Sequence, residues 1–245
     1  MKTISAEIHP LPPLPSCTLR SPRPKGWCEA LFREDDVPAH TELVAQVVEG
    51  CPPPKLVALV ARNNEASAHL IVAALLVAGI TANQGALLAA GLPATLIALI
   101  ASEAPPLQRP ALTYPVLPQA LALLRKLLSG PDASGTADVV IAAGGVEALA
   151  AALGAGGPVS TNAAECLLAI TKLAPHRAAE IAVGAVPALL EAVNSGEEGS
   201  GGKAAAEHAL SILMVGQAAV VTAVNAAGLN VAALKGLVLP PPSPS

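Results

Sequence analysis

IAAGGVEALA at residues 141–150 returns forty positions later as IAVGAVPALL at residues 181–190. Slid along the chain, the same block meets EGCPPPKLVALV at 49–60, AAGLPATLIALI at 89–100, AVGAVPALLEAV at 182–193 and AAGLNVAALKGLV at 226–238. The aligned positions are Pro53, Pro93, Glu147, Pro187 and Asn230, spaced by 40, 54, 40 and 43. Self-similarity at a period of about 40 residues is the signature of a helical solenoid, in which each unit hides apolar surface that it cannot bury alone. Such an architecture points to a surface that grips other macromolecules rather than to a catalytic pocket.

Each unit divides in the same way. A short helix leads into a small-residue corner at Gly50, Gly91, Gly144–Gly145, Gly184 or Gly228. Glycine suits such a corner because it permits backbone conformations and close approaches that a Cβ forbids. A second helix then starts near the proline, whose missing N–H is not needed in a first turn. A third, longer helix follows, over Glu65–Gly79, Val116–Leu128, Ser160–Leu173 and Lys203–Val215. The wide spacing in the second unit arises from ASEAPPLQRPALTYP at 101–115 and SGPDASGTAD at 129–138, and EEGSGG at 197–202 is a smaller addition. Loops absorb insertions of this kind because closure entropy grows slowly with length.

The Ala-Gly-[Leu/Val]-Pro-Ala-Leu type corners, together with third helices such as AAECLLAITKLA, resemble the armadillo repeat family, the three-helix solenoid of β-catenin and importin-α. The resemblance implies an all-α, right-handed α-solenoid of about four and a half armadillo-type three-helix repeats. Their approximate boundaries are 40–81, 82–131, 132–174, 175–216 and 217–239, with a proline-rich leader at 1–39 and a proline-rich tail at 240–245. It also implies a noncatalytic scaffold or adaptor that binds protein along the concave face of its third helices.

Importin-like relatives hold a peptide backbone with a ladder of Trp and Asn on those helices. The Asn places here are Ala78, Lys126, Lys172 and Val215, and the Trp places are Ala74, Ala122, Leu168 and Ser211, so recognition in that manner is not expected. Lys126 and Lys172 instead project from matching points of neighbouring third helices. Aligned charges in a concave wall steer partners better than isolated ones. With Gln119, Arg125, Glu165, His208 and Ser211 they form the candidate protein-binding set, suited to a protein or extended peptide with an acidic segment. Self-association through the apolar end at 229–239 is a further expectation.

Composition narrows the remaining classes. Hydrophobic residues make up 53% of the chain but aromatics only 1%, so the core must be built from Ala, Leu, Val and Ile. Three aromatics, Trp27, Phe32 and Tyr114, are too few for base-stacking platforms. A net charge of −4 with no basic stripe argues against nucleic acid. Cys17, Cys28, Cys51 and Cys166 form no CxxC and no zinc-ligand spacing, which reads as reduced thiols in a cytoplasmic protein, with nuclear or organellar placement as alternatives. The leader lacks the apolar run of a signal peptide, and the overlapping PxxP steps of HPLPPLPS suit polyproline II.

No cofactor or metal is expected, and no enzyme signature survives inspection. EEGSGGKA lacks the first glycine and the final Ser/Thr of a phosphate loop, and GAGGPV at 154–159 lacks the last glycine of a dinucleotide fingerprint. His9, His40, His69, His176 and His208 are scattered. Two alternative roles remain. One is a membrane-associated helical hairpin in 66–102, a stretch without Lys, Arg, Asp or Glu, but interrupted before the ~20 apolar residues of a spanning helix. The other is a substrate-binding module of a ubiquitin-ligase or ciliary assembly.

Overall fold

Ala- and Leu-rich segments have strong helix propensity, which each glycine among them weakens locally. The computed structural model describes residues 51–61, 74, 78, 81–103, 116–196 and 200–236. These lie within the unit Thr41–Ser245. Among them every regular element is helical and there is no strand, so the chain is all-α. In order the elements are α1 (Pro53–Val60), α2 (Thr81–Ala89), α3 (Leu92–Glu103), α4 (Val116–Leu127), α5 (Ala133–Ala142) and α6 (Gly145–Leu153). They continue with α7 (Gly157–Leu173), a 3₁₀ turn (Pro175–Arg177), α8 (Ala178–Ser195), α9 (Gly201–Leu213), α10 (Ala218–Ala226) and α11 (Val231–Gly236).

The corners explain most of the breaks. Gly91, Gly144 and Gly228 all take positive φ, at 80°, 74° and 75°. An L-residue with a Cβ resists this left-handed conformation, so each helix ends there and a new one leaves in another direction. The turn is 65° between α2 and α3, and 85° between α5 and α6. At Gly145 the demand is different: an added Cβ would lie 2.6 Å from the Val140 carbonyl oxygen and 2.4 Å from its Cγ1. One glycine of the pair turns the chain and the other lets two helices touch. Asn230 then starts α11, its Oδ1 accepting from the amides of Ala232 (3.0 Å) and Ala233 (3.1 Å), and Ser200 starts α9 by accepting from the Lys203 amide.

The fourth unit departs from the pattern. Gly184 is not a corner: α8 runs unbroken from Ala178 to Ser195 with both Gly184 and Pro187 inside it. Here a single glycine meets only the close-approach demand, since a Cβ at Gly184 would lie 2.8 Å from Val146 Cγ1 on α6. Nothing forces positive φ, so helical hydrogen bonding continues, and the loss of one N–H at Pro187 is tolerated. Two insertions are also shorter than their sequences suggest. SGPDASGTAD is mostly helix, because α5 begins at Ala133. Residues 101–103 of the proline-rich stretch complete α3. The leader at 1–39, the Gly50 corner, most of Glu65–Gly79, residues 104–115 and the tail at 240–245 lie outside the described residues.

Packing follows two rows. α1, α3, α6 and α8 touch in succession, as do α4, α7 and α9, and each helix of the first row from α3 onward packs on its partner in the second. α2, α5 and α10 lie against the first row, on α3, α6 and α8 respectively. The buried seam is made of Leu, Ile, Val and many Ala, including Ala163 and Ala164 on α7 and Ala205, Ala206 and Ala209 on α9. Small side chains let α7 and α9 come close, and a Cβ on Gly202 would meet the Thr161 Cα at 3.2 Å. Burial of this seam is the main stabilising term, at roughly 25 cal/mol per Å² of apolar area.

The stretch Pro175–Ser195 is long and apolar enough to cross a membrane by length and composition. Its helix α8 packs on α6 and α9, and also touches α7 and α10.

Candidate functional site

The second row, α4–α7–α9, carries all of the candidate residues. On α4 the apolar residues Ala120, Leu121, Leu123, Leu124 and Leu127 are buried, which leaves Arg125 and Lys126 exposed. On α7 the same logic buries Ala163, Ala164, Cys166, Leu167 and Ile170 and leaves Lys172 exposed. Lys126 and Lys172 therefore stand at matching positions of adjacent helices, and neither makes a salt bridge among the described residues.

Arg125 and Glu165 are brought together across the α4–α7 junction, Nη1 against Oε2, in an ion pair joining residues forty positions apart. Their side chains are 47% and 32% exposed, which places the pair where solvent screens it. Gln119 is half-buried, and its Oε1 is sealed from solvent without a hydrogen-bond partner. A buried acceptor without a donor costs about 1–3 kcal/mol.

His208 on α9 is partly buried and its pKa lies below the ordinary imidazole value. Burial is the larger cause and the positive charge of Lys172 the second. Ser211 has a different role from the other six. It is 1% exposed, and its hydroxyl donates to the His208 carbonyl at 2.6 Å. It belongs to the helix interior and offers nothing to a partner. The ladder places of the first unit, Ala74 and Ala78, are likewise fully buried.

Beneath the face lies Cys166, whose Sγ donates to the Leu121 carbonyl at 3.6 Å. Burial pushes this thiol up to about 12, so it stays protonated and is a core residue, not a nucleophile. Among the described residues no His, Cys, Asp and Glu side chains gather in threes as metal ligands would.

Sequence reasoning missed a polar cluster on another side of the chain. Arg177 grips Glu180 through Nε (2.9 Å) and Nη2 (2.7 Å) and donates from Nη1 to the Asp138 carbonyl at 3.1 Å. His176 Nε2 lies 3.2 Å from Asp138 Oδ1, without hydrogen-bond alignment. The available signal was the Arg-x-x-Glu spacing at a helix start, which favours such a pair. The cluster fastens the turn before α8 to α5, a structural duty.

No protein-family model matches the chain, and no curated protein matches it.

Proposed function

We propose that this chain is an armadillo-like α-solenoid that serves as a noncatalytic protein-binding scaffold, with the α4–α7–α9 row as its recognition face. The observation that carries this reading is the register of that row. Lys126 and Lys172 recur, exposed and unpaired among the described residues, on consecutive helices whose opposite sides are sealed in the core. The succession of α3, α6 and α8 beside α4, α7 and α9 supports a repeating two-row stack, in which each unit is stabilised mainly by its neighbours. Two unpaired lysines in one line favour an extended segment bearing acidic side chains.

Selection from a random peptide library displayed on phage tests the reading, with the full chain as bait. Selected peptides are expected to be rich in Asp and Glu. A synthetic copy of the strongest should lose tenfold or more in affinity to the Lys126→Glu/Lys172→Glu variant, and little to Val183→Glu on α8, where Val183 is 84% exposed. Affinity unchanged by the double lysine variant would remove this face from the function.

A further inference from the structure

Among the described residues, Arg125 and Glu165 form the ion pair that joins two helices of the α4–α7–α9 row. The repeat requires neither partner. Glu165 lies three residues before the matched position Leu168, and the corresponding residues are Gln119 on α4 and His208 on α9, neither of them acidic. Arg125 lies one residue before Lys126, and the corresponding residues, Thr171 and Met214, are 1% and 3% exposed. Thr171 turns its hydroxyl back into its own helix, donating to the Leu167 carbonyl at 2.8 Å. The pair is therefore a feature of this junction and not of the stack. With side chains 47% and 32% exposed it adds little to stability. It does stand beside both lysines of the row: Arg125 precedes Lys126, and Glu165 lies seven residues before Lys172, on the same face of α7.

We propose that Glu165 is a selectivity residue of the recognition face: it occupies the Arg125 guanidinium in place of a carboxylate of the bound segment, and so disfavours segments with an unbroken acidic run. This rests on the scaffold reading above and names what tunes that face. A guanidinium takes a carboxylate through two parallel N–H···O bonds, and an unoccupied Arg125 would add a stronger anion site than either lysine. Glu165 belongs to the same chain and is present at high local concentration, so a carboxylate from the segment has to displace it. An acid placed at the α4–α7 junction also meets the negative charge of Glu165 itself. Repulsion of this kind discriminates between partners. The face accordingly takes acids at Lys126 and Lys172 and a neutral residue between them.

Hexaglutamate is the probe, because it offers a carboxylate at every position, and the full chain is used throughout. Titration calorimetry should show binding to Glu165→Gln about threefold tighter than to the parent, the size of an exposed charge pair, with the fold unchanged by circular dichroism. In NMR spectra the Arg125 Nε–H resonance should move with hexaglutamate in Glu165→Gln and stay in place in the parent. Tighter binding alone also follows from one negative charge fewer, whereas the resonance reports the guanidinium itself.

The inference is overturned if Glu165→Gln binds no tighter than the parent, including the case in which neither binds hexaglutamate. It is equally overturned if tighter binding leaves the Arg125 resonance still, or if that resonance moves as far in the parent. Each of these results leaves the scaffold reading standing when the library peptides still depend on Lys126 and Lys172. Loss of that dependence removes the scaffold reading itself.

Discussion

Substituting the neighbouring glycines of the α5–α6 corner one at a time separates two physical demands that the sequence merges. At Gly144 the backbone has φ 74°, and the nearest atom to an added Cβ is Glu147 Oε2 at 4.0 Å. Space is free there and the conformation alone resists, so Gly144→Ala should destabilise by ~1–2 kcal/mol, the left-handed penalty of an L-residue. Part of this is returned because alanine restricts the unfolded chain, by about 0.4–1 kcal/mol. Asparagine tolerates the left-handed region, so Gly144→Asn should be milder than Gly144→Ala.

At Gly145 the obstacle is packing. The added Cβ would fall 2.4 Å from Val140 Cγ1, 2.6 Å from the Val140 carbonyl oxygen and 3.0 Å from Ile97 Cδ1. Val140 is fully buried and Ile97 is 2% exposed, so neither has room to retreat. The carbonyl belongs to the backbone of α5, and relief requires that α5 and α6 move apart. Gly145→Ala should therefore destabilise by about 3 kcal/mol, the upper end of overpacking, and asparagine there should be worse, not better. Equilibrium urea unfolding followed by far-ultraviolet circular dichroism measures all four variants. The reasoning fails if Gly145→Ala stays within about 0.5 kcal/mol of the parent, the range of an ordinary surface substitution, or if the asparagine variants rank the other way.

Other outcomes follow from the same contacts. Gly184→Ala should be near neutral, because a helix-interior glycine gives up about 1 kcal/mol relative to alanine while the new Cβ presses on Val146 Cγ1 at 2.8 Å. Gly184→Val should destabilise by ~1–3 kcal/mol and be partly rescued by Val146→Ala in thermal melts, whereas lack of rescue would point to another contact. Cys166 should resist thiol reagents at pH 8 in the folded chain and react once urea unfolds it, read by mass spectrometry of its peptide. Rapid native labelling would contradict a thiol held near 12 by burial.

Helices and corners were largely legible because they follow from local causes. Ala-Leu runs favour helix, and Gly91, Gly144 and Gly228 mark three of the turns that take positive φ, whereas Gly156, Gly157 and Gly216 take it outside the repeated corners. The second-row helices α4, α7 and α9 begin and end within three positions of the bounds that periodicity indicates. Gly184 misled because a glycine needed for close approach and one needed for a turn look alike in a string of letters. SGPDASGTAD misled because its Gly, Ser and Asp suggest a loop, while Thr136, Ala137, Val140 and Ile141 have an apolar neighbour to bury against.

The candidate face divides along the same line. By itself the chain determined that its core must be aliphatic and helical, and that Lys126 and Lys172 fall in step on successive helices, since both follow from composition and period. Only the tertiary structure decided that Arg125 meets Glu165 and that Ser211 is sealed inside. These depend on how far one helix sits along and around the next. That placement is set by the summed contacts of many small side chains, and no single residue encodes it.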